Sequence, residues 1–341
     1  MDRRKFIFKA GLAAASIPLL SSFISSEELE SPSFQNLTLP KALKKGDTIG
    51  VIAPGGAIFN NDSIEKCRLK LDSIGFKMAA GKTLSTQHGY LSDTDENRAK
   101  EIMDMFQNPN INGILAMRGG SGCARVLPYL DYELIKQHNK PFIGMSDITA
   151  LLTAFYTKTG MVSFHGPVGY STWTDFTKKY FIETLVDKKL TEMTTPAHSK
   201  FYMINEGIAQ GELIGGNLTV FSQLVGTPYL PNMDGKILFL EDINEEPYRI
   251  DRMLMQLKLA GILSQINGII LGECRKCVPE EPEKSLTLKQ VLTDHLSNLN
   301  IPVFYGAKFG HIKDKWTLPV GIKAEMNANN GSLRLLEPAV Q

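Results

Sequence analysis

The sequence predicts an α/β fold of two units, the first built around a parallel sheet. Short apolar runs alternate with helical segments along most of the chain, and many of those runs are apolar at nearly every position. Strands of that kind are covered by helices on both faces. Glycine-containing turns then follow three apolar runs, at Pro54–Ala57, Arg118–Gly122 and Gly144–Asp147. Ligands of parallel sheets gather beyond the carboxyl ends of the strands, so these loops mark the expected site.

The first unit spans 41–170, after an irregular lead-in. "TIGVIA" reads as a strand. Ser63 to Ile74 places Ile64, Cys67, Leu71 and Ile74 at helical spacing and ends at Gly75, as a C-cap should. "DTDENRAKEIMDMFQNP" is a helix with acids in its first turn. "INGILAM" is a strand, "ARVLPYLDYELIKQHN" a broken helix, "PFIGM" a strand, "DITALLTAFYTKTG" a helix and "MVSFHG" a strand. Residues 171–207 turn polar and aromatic and read as a connection with one helix. The second unit, 208–337, opens with "GELIGGNLTVFSQLVGTPYL", which contains a glycine-rich turn. It continues with the strand "GKILFLED", the amphipathic helix "EPYRIDRMLMQLKLAGIL" and the strand "INGIILGEC". The helix "TLKQVLTDHLSNL", the strand "PVFYGAKFGH" and a hairpin around Asn329-Asn330-Gly331 complete it. Two domains of this size suit 341 residues.

With 43% hydrophobic and 21% charged residues, the composition is that of an ordinary globular protein. The net charge of +1 is spread without blocks, so no nucleic-acid partner is expected. The start differs. "MDRRKFIFKAGLAAASIPLLSSFISS" carries Arg3, Arg4, Lys5 and Lys9, then an apolar stretch, then small polar residues. That order is a secretory signal, and Arg3-Arg4 resembles the twin-arginine kind, so residues 1–26 are expected to direct export, to a periplasm. The apolar run is short for a membrane span, and stable membrane association is not expected after cleavage; an uncleaved anchor is the alternative. Cleavage near Ser25 moves the net charge from +1 to about −2.

Cys67 falls on the apolar face of a helix, as a core residue. Cys274-x-x-Cys277 is half a zinc site at most, with no second half in view. In an oxidising compartment that pair is able to close a short disulfide.

The chemistry has several candidates. Between "PFIG" and a helix, Ser146 and Asp147 are either helix caps or, for Ser146, a nucleophile on a tight strand-to-helix turn. His138, His198 and His295 sit in polar contexts and are expected to be solvated, and His88 lies in a loop. His165 and His311 end apolar strands, where a site histidine and a satisfied core histidine look alike. Glu241 and Asp242 close "KILFLED", as a cap or as site acids. A serine, an acid and a histidine at three strand ends make the set for nucleophilic acyl transfer.

Six segments carry a resemblance to a known family: "VIAPGG", "AMRGGSGCARVLPYLDYELI", "KPFIGMSDITALLTAFYTKTGMVSFHGP", "GELIGGNLTVFSQLVGTPYLP", "ILFLEDINEEPYRIDRMLMQLKLAGIL" and "FGHIKDKWTLPVG". In this order, over 41–337, they resemble the LD-carboxypeptidases that trim cell-wall muropeptides, a family that includes microcin-immunity peptidases. The resemblance implies an N-terminal domain like the class I glutamine amidotransferases and a smaller, β-rich C-terminal α/β domain. It implies Ser146 as nucleophile, Glu241 as acid and His311 as base, with the amides of Gly120 and Asp147 as oxyanion hole. The implied reaction is hydrolysis of the bond between an L-centre diamino acid and a terminal D-alanine in a muropeptide, without metal or organic cofactor. A homodimer is a further expectation from the resemblance. Substrate contacts are expected from Arg118, Gly119, Ser121 and Arg249, the two arginines being candidate cations for the D-alanine carboxylate. Ser121 stands where members commonly carry an aromatic residue, and the Cys274–Cys277 loop is not a family feature. Two alternatives stay open. One is a microcin-type hydrolase of a peptidyl-nucleotide, for which Trp173 and Trp316 are the tryptophans to check; the other is a non-catalytic cell-wall peptide binder.

Overall fold

A computed structural model describes residues 37–196 and 200–341. The export segment, 1–26, and His198 lie outside the described residues.

The first sheet takes its central strands from the predicted apolar runs: β1 (Thr48–Ile52), β3 (Gly113–Ala116), β4 (Phe142–Gly144) and β5 (Ser163–His165), with β2 (Lys77–Ala80) at one edge. β1 to β5 are parallel. All residues of β3, β4 and β5 are buried, as strands covered on both faces must be. The covering helices are α1 (Asp62–Asp72), α2 (Asp95–Gln107), α3 (Cys123–Val126), α4 (Tyr132–Gln137) and α5 (Thr149–Thr159). Phe106, Phe142 and Phe155 pack together between α2, β4 and α5, with ring centroids 5.1–6.0 Å apart.

The connection holds more than one helix. Besides α6 (Asp175–Leu185) it contributes β6 (Glu192–Thr194) and β7 (Tyr202–Asn205), which are the two edges of the second sheet. Both are short and part-exposed: β6 buries only Met193, and β7, although it belongs to the apolar run Phe201–Ile204, buries none of its residues fully.

That second sheet is mixed, in the order β6-β14-β13-β8-β9-β10-β11-β7. Its parallel centre is β8 (Ile208–Asn217), β9 (Ile237–Glu241), β10 (Gly268–Gly272) and β11 (Val303–Ala307). The helices α7 (Leu218–Gln223), α8 (Pro247–Leu259) and α9 (Leu288–Leu296) connect these strands. Gly215 and Gly216, expected in a turn, are inside β8. Gly215 has φ +150°, and a Cβ there would run into the Phe239 carbonyl of β9. The glycines permit a close strand approach instead of a turn.

The chain then returns to the first sheet. β12 (Leu318–Val320) pairs antiparallel with β5 before β13 (Lys323–Asn327) and β14 (Ser332–Leu335) form the terminal hairpin. β12, together with a hydrogen bond from Asn217 N–H to Thr149 Oγ1 (2.9 Å), joins the two sheets next to the carboxyl ends of β4, β8 and β9.

Candidate active site

β4 ends at Gly144, and the chain turns at Ser146 into one 3₁₀ turn (Ser146–Ile148) ahead of α5. Ser146 has φ +66°, a left-handed conformation that non-glycine residues adopt at a cost. Neither Ser146 nor Asp147 caps the helix through its side chain. The Asp147 carboxylate, read from sequence as a helix opener, instead accepts the Cys123 N–H at 2.7 Å. It ties the loop after β3 to the serine turn.

That loop, Arg118–Gly122, lies against the turn so closely that a Cβ on Gly119 would sit 2.8 Å from Asp147 N and 2.9 Å from Ser146 Cβ. Among the described residues, no turn or loop hydrogen bond uses the main-chain N–H of Gly120 or Asp147. Arg98, fully buried in α2, braces the loop from behind by donating to the carbonyls of Pro54 (2.5 Å) and Gly122 (2.9 Å). Its place on a charged helix gave no hint of this role.

Glu241 ends β9 with its side chain fully buried. One oxygen, Oε2, accepts from the His311 ring at Nδ1 (2.8 Å) and from the His311 N–H (3.2 Å). The other, Oε1, accepts from Asn217 Nδ2 at 3.3 Å. Burial by itself would raise the Glu241 carboxyl. The hydrogen bond and charge of His311, the His165 ring and the Asn217 amide outweigh it and hold the group below the usual carboxylate range. Asp242 is raised by burial and by the Glu241 charge, and is satisfied by Thr219, Asn217 and the Ile243 N–H.

His311 lies in the loop after β11, which ends at Ala307, short of the predicted strand end. Gly310 has φ +89°, and a Cβ there would collide with the Glu241 carboxylate, so glycine lets the histidine reach its acid. Arg275 donates to the His311 carbonyl at 3.3 Å from the Cys274–Cys277 loop. Those two cysteines are free thiols in contact, which lifts Cys274 well above its ordinary value and lowers Cys277.

Ser146 and His311 line one cleft of about 1160 Å³ together with Arg118, Gly119 and Gly120. They share no hydrogen bond in this structure. A smaller hollow of about 320 Å³ lies on the other side of Ser146, lined by Ser121, Asp147, Asn217 and Asp242 among others. Ser146 and Gly120 belong to both, at the junction of the two.

The remaining candidates divide. Arg118 reaches the cleft, donating to the Ala57 carbonyl at 3.1 Å with its guanidinium over the Tyr170 ring. Arg249 does not: on α8 it is 58% exposed, over Tyr248 and 3.7 Å from Glu245, and lines neither hollow. His165 is buried between Phe239 and Phe309 with neither ring nitrogen bonded among the described residues, and burial pushes its pKa down to about 4. His88 and His138 are exposed. His295, expected in solvent, is buried and bonded to Asp251 at 2.6 Å, because α9 packs its histidine against α8. Both tryptophans are buried as well. Asn217 and Lys315 were missed; the first followed a supposed turn and the second sits in a charged run that reads as solvated.

Comparison with known proteins agrees with this layout. Residues 49–166 match the LD-carboxypeptidase N-terminal domain and residues 210–326 the LD-carboxypeptidase C-terminal domain. The chain is 40% identical over 293 residues to a probable murein peptide carboxypeptidase of Bacillus subtilis, covering 84% of this chain and 91% of the relative. Its fold matches the microcin C7 self-immunity protein MccF, solved with adenosine monophosphate, at TM-score 0.82 and 27% identity over 89% of this chain and 100% of the other. It also matches muramoyltetrapeptide carboxypeptidase from Oxalobacter formigenes at TM-score 0.74 and 33% identity, over 84% and 97% of the two chains. Two matched domains in family order, on a parallel-sheet first half and a β-rich second half, make this chain a member of the LD-carboxypeptidase family.

Proposed function

We propose that the protein is a serine-type LD-carboxypeptidase that releases D-alanine from murein tetrapeptides by cutting its bond to the L-centre of the diamino acid. One observation carries this reading: Ser146 is held at positive φ on a strand-to-helix turn, in the same cleft as a histidine bonded to a buried glutamate. In this mechanism His311 takes the Ser146 proton at Nε2 as the hydroxyl attacks the carbonyl carbon. Glu241 keeps the other ring proton on Nδ1 and stabilises the imidazolium. The N–H groups of Gly120 and Asp147 receive the oxyanion. His311 then returns the proton to the departing amine, and a water activated by the same ring frees the acyl group.

Incubating the purified protein with a disaccharide tetrapeptide is expected to release free D-alanine at a rate that chelators leave unchanged. An intact tetrapeptide after prolonged incubation overturns the reading. Gly119→Ala is expected to lower that rate by on the order of 100-fold, because the new Cβ pushes the Asp147 amide off the oxyanion position. Wild-type activity in this variant would remove the two amides from the mechanism.

The likeness to MccF raises hydrolysis of a peptidyl-nucleotide. Trp173 donates Nε1–H to the Val168 carbonyl and Trp316 is fully buried, so neither offers a face for stacking a base. The cleft's excess of cations fits a muropeptide's carboxylates.

A further inference from the structure

Lys315 is 3% exposed and lines the larger cleft beside Ser146 and His311. Buried ammonium groups are ordinarily paired, since an uncompensated charge away from water is costly. This one has a single hydrogen bond, to the Lys313 carbonyl at 3.3 Å, and no carboxylate within ion-pair distance among the described residues. The other cleft cations are either paired with a carboxylate or less buried than Lys315. Lys308 pairs with Glu273 at 2.6 Å, Arg275 holds the His311 carbonyl and Arg118 the Ala57 carbonyl. Lys200 and Lys313 are exposed to water.

We propose that Lys315 is the specificity anchor for the free carboxylate of the departing amino acid, the feature that makes the enzyme an exopeptidase. The inference rests on the peptidase reading above and extends it to the choice of substrate end. Its argument is positional. His311 must hand a proton to the leaving amine, so the leaving amino acid lies on the histidine side of Ser146. Its carboxylate is one carbon from that amine. Lys315 follows His311 by four residues in the same cleft wall. The hollow across Ser146 carries Asp242 and Glu245, and its Arg125 is occupied by Asp95 at 2.8 Å, so it does not invite an anion. Burial pulls Lys315 down to about 8, with Asp314 and Glu241 acting against it and Lys70 and Arg275 with it. An arriving carboxylate supplies the missing counter-charge.

The test compares a tetrapeptide ending in D-alanine with the same peptide ending in D-alaninamide. Wild type is expected to prefer the free acid by on the order of 10- to 100-fold in kcat/KM, the range of a charge-assisted hydrogen bond. Lys315→Gln should abolish the preference, mainly by raising KM for the acid, while Lys315→Arg keeps part of it. In wild type, KM for the acid should climb above about pH 8 and KM for the amide should not. That last measurement needs no variant to fold. Preference retained in Lys315→Gln, or a flat KM for the acid, overturns the assignment while D-alanine release upholds the peptidase. Release from neither peptide overturns the peptidase reading and this inference with it.

Discussion

Ser146→Ala is expected to lower D-alanine release by on the order of 10⁴-fold or more, with the fold intact. The loss is that large because no neighbour can take over. Cys123, at the start of α3 with its N–H on the Asp147 carboxylate, is completely buried, and burial pushes its thiol well above the ordinary range. A second substitution separates chemistry from stability. Ser146 holds φ +66°, where a side chain costs about 1 kcal/mol or more and glycine costs little. Ser146→Gly should therefore be as inactive as the alanine variant yet melt at a higher temperature than wild type. A serine that served only to begin the helix would show the opposite: activity kept and nothing gained on relaxing its backbone. Undiminished D-alanine release by Ser146→Ala would remove the serine from the mechanism. A lower melting temperature for Ser146→Gly would remove the strain argument.

How far the sequence foretold this site depends on what each residue's role is made of. Ser146, Glu241 and His311 were visible because each follows an apolar run, and the carboxyl end of a buried strand is where a parallel sheet exposes its loops. The positive φ at Ser146 was not visible, since no local pattern encodes it; it goes with the close packing of Gly119 against the turn. Asp147 was misread for a related reason. A carboxylate at a helix start usually caps, but here the glycine loop brings the Cys123 amide within 2.7 Å and takes it. Lys315 and Asn217 owe their positions to pairings across the chain: β12 against β5 for the first, β8 against β9 for the second. "HIKDKW" reads as solvated charge until β12 carries it into the cleft wall. The strands that escaped notice, β2, β6 and β7, are the short edge strands. Edges bury one face weakly and so carry little hydrophobic period.

Glu241→Gln is expected to lower the rate by on the order of 10⁴-fold, as loss of the orienting acid does in Ser-His-Asp triads. The amide is nearly isosteric, so the effect isolates charge and hydrogen-bond direction from shape. Both carboxylate oxygens of Glu241 face donors: Oε2 meets His311 at Nδ1 and at its main-chain N–H, and Oε1 meets Asn217 Nδ2. Glutamine must point its NH₂ at one of them. Toward His311 it confronts the main-chain N–H and forces the ring proton onto Nε2, the nitrogen that has to accept from Ser146. Toward Asn217 it confronts another NH₂, which cannot turn away. Asn217 Oδ1 already accepts the Val220 N–H at 3.2 Å, and its Nδ2 also donates to Asp242 at 3.0 Å. Either way the amide sets donor against donor, and the charge that would stabilise the His311 imidazolium is gone. The pH profile should carry the same signature. Glu241 lies below the ordinary carboxylate range, so its stabilisation of the fold is present above about pH 4.5 and is lost as pH falls through the depressed value. The glutamine variant lacks that acid limb of stability while showing its loss of activity at neutral pH. An unimpaired rate at neutral pH, with the acid limb of stability gone, would mean that the buried glutamate serves the fold and not the histidine.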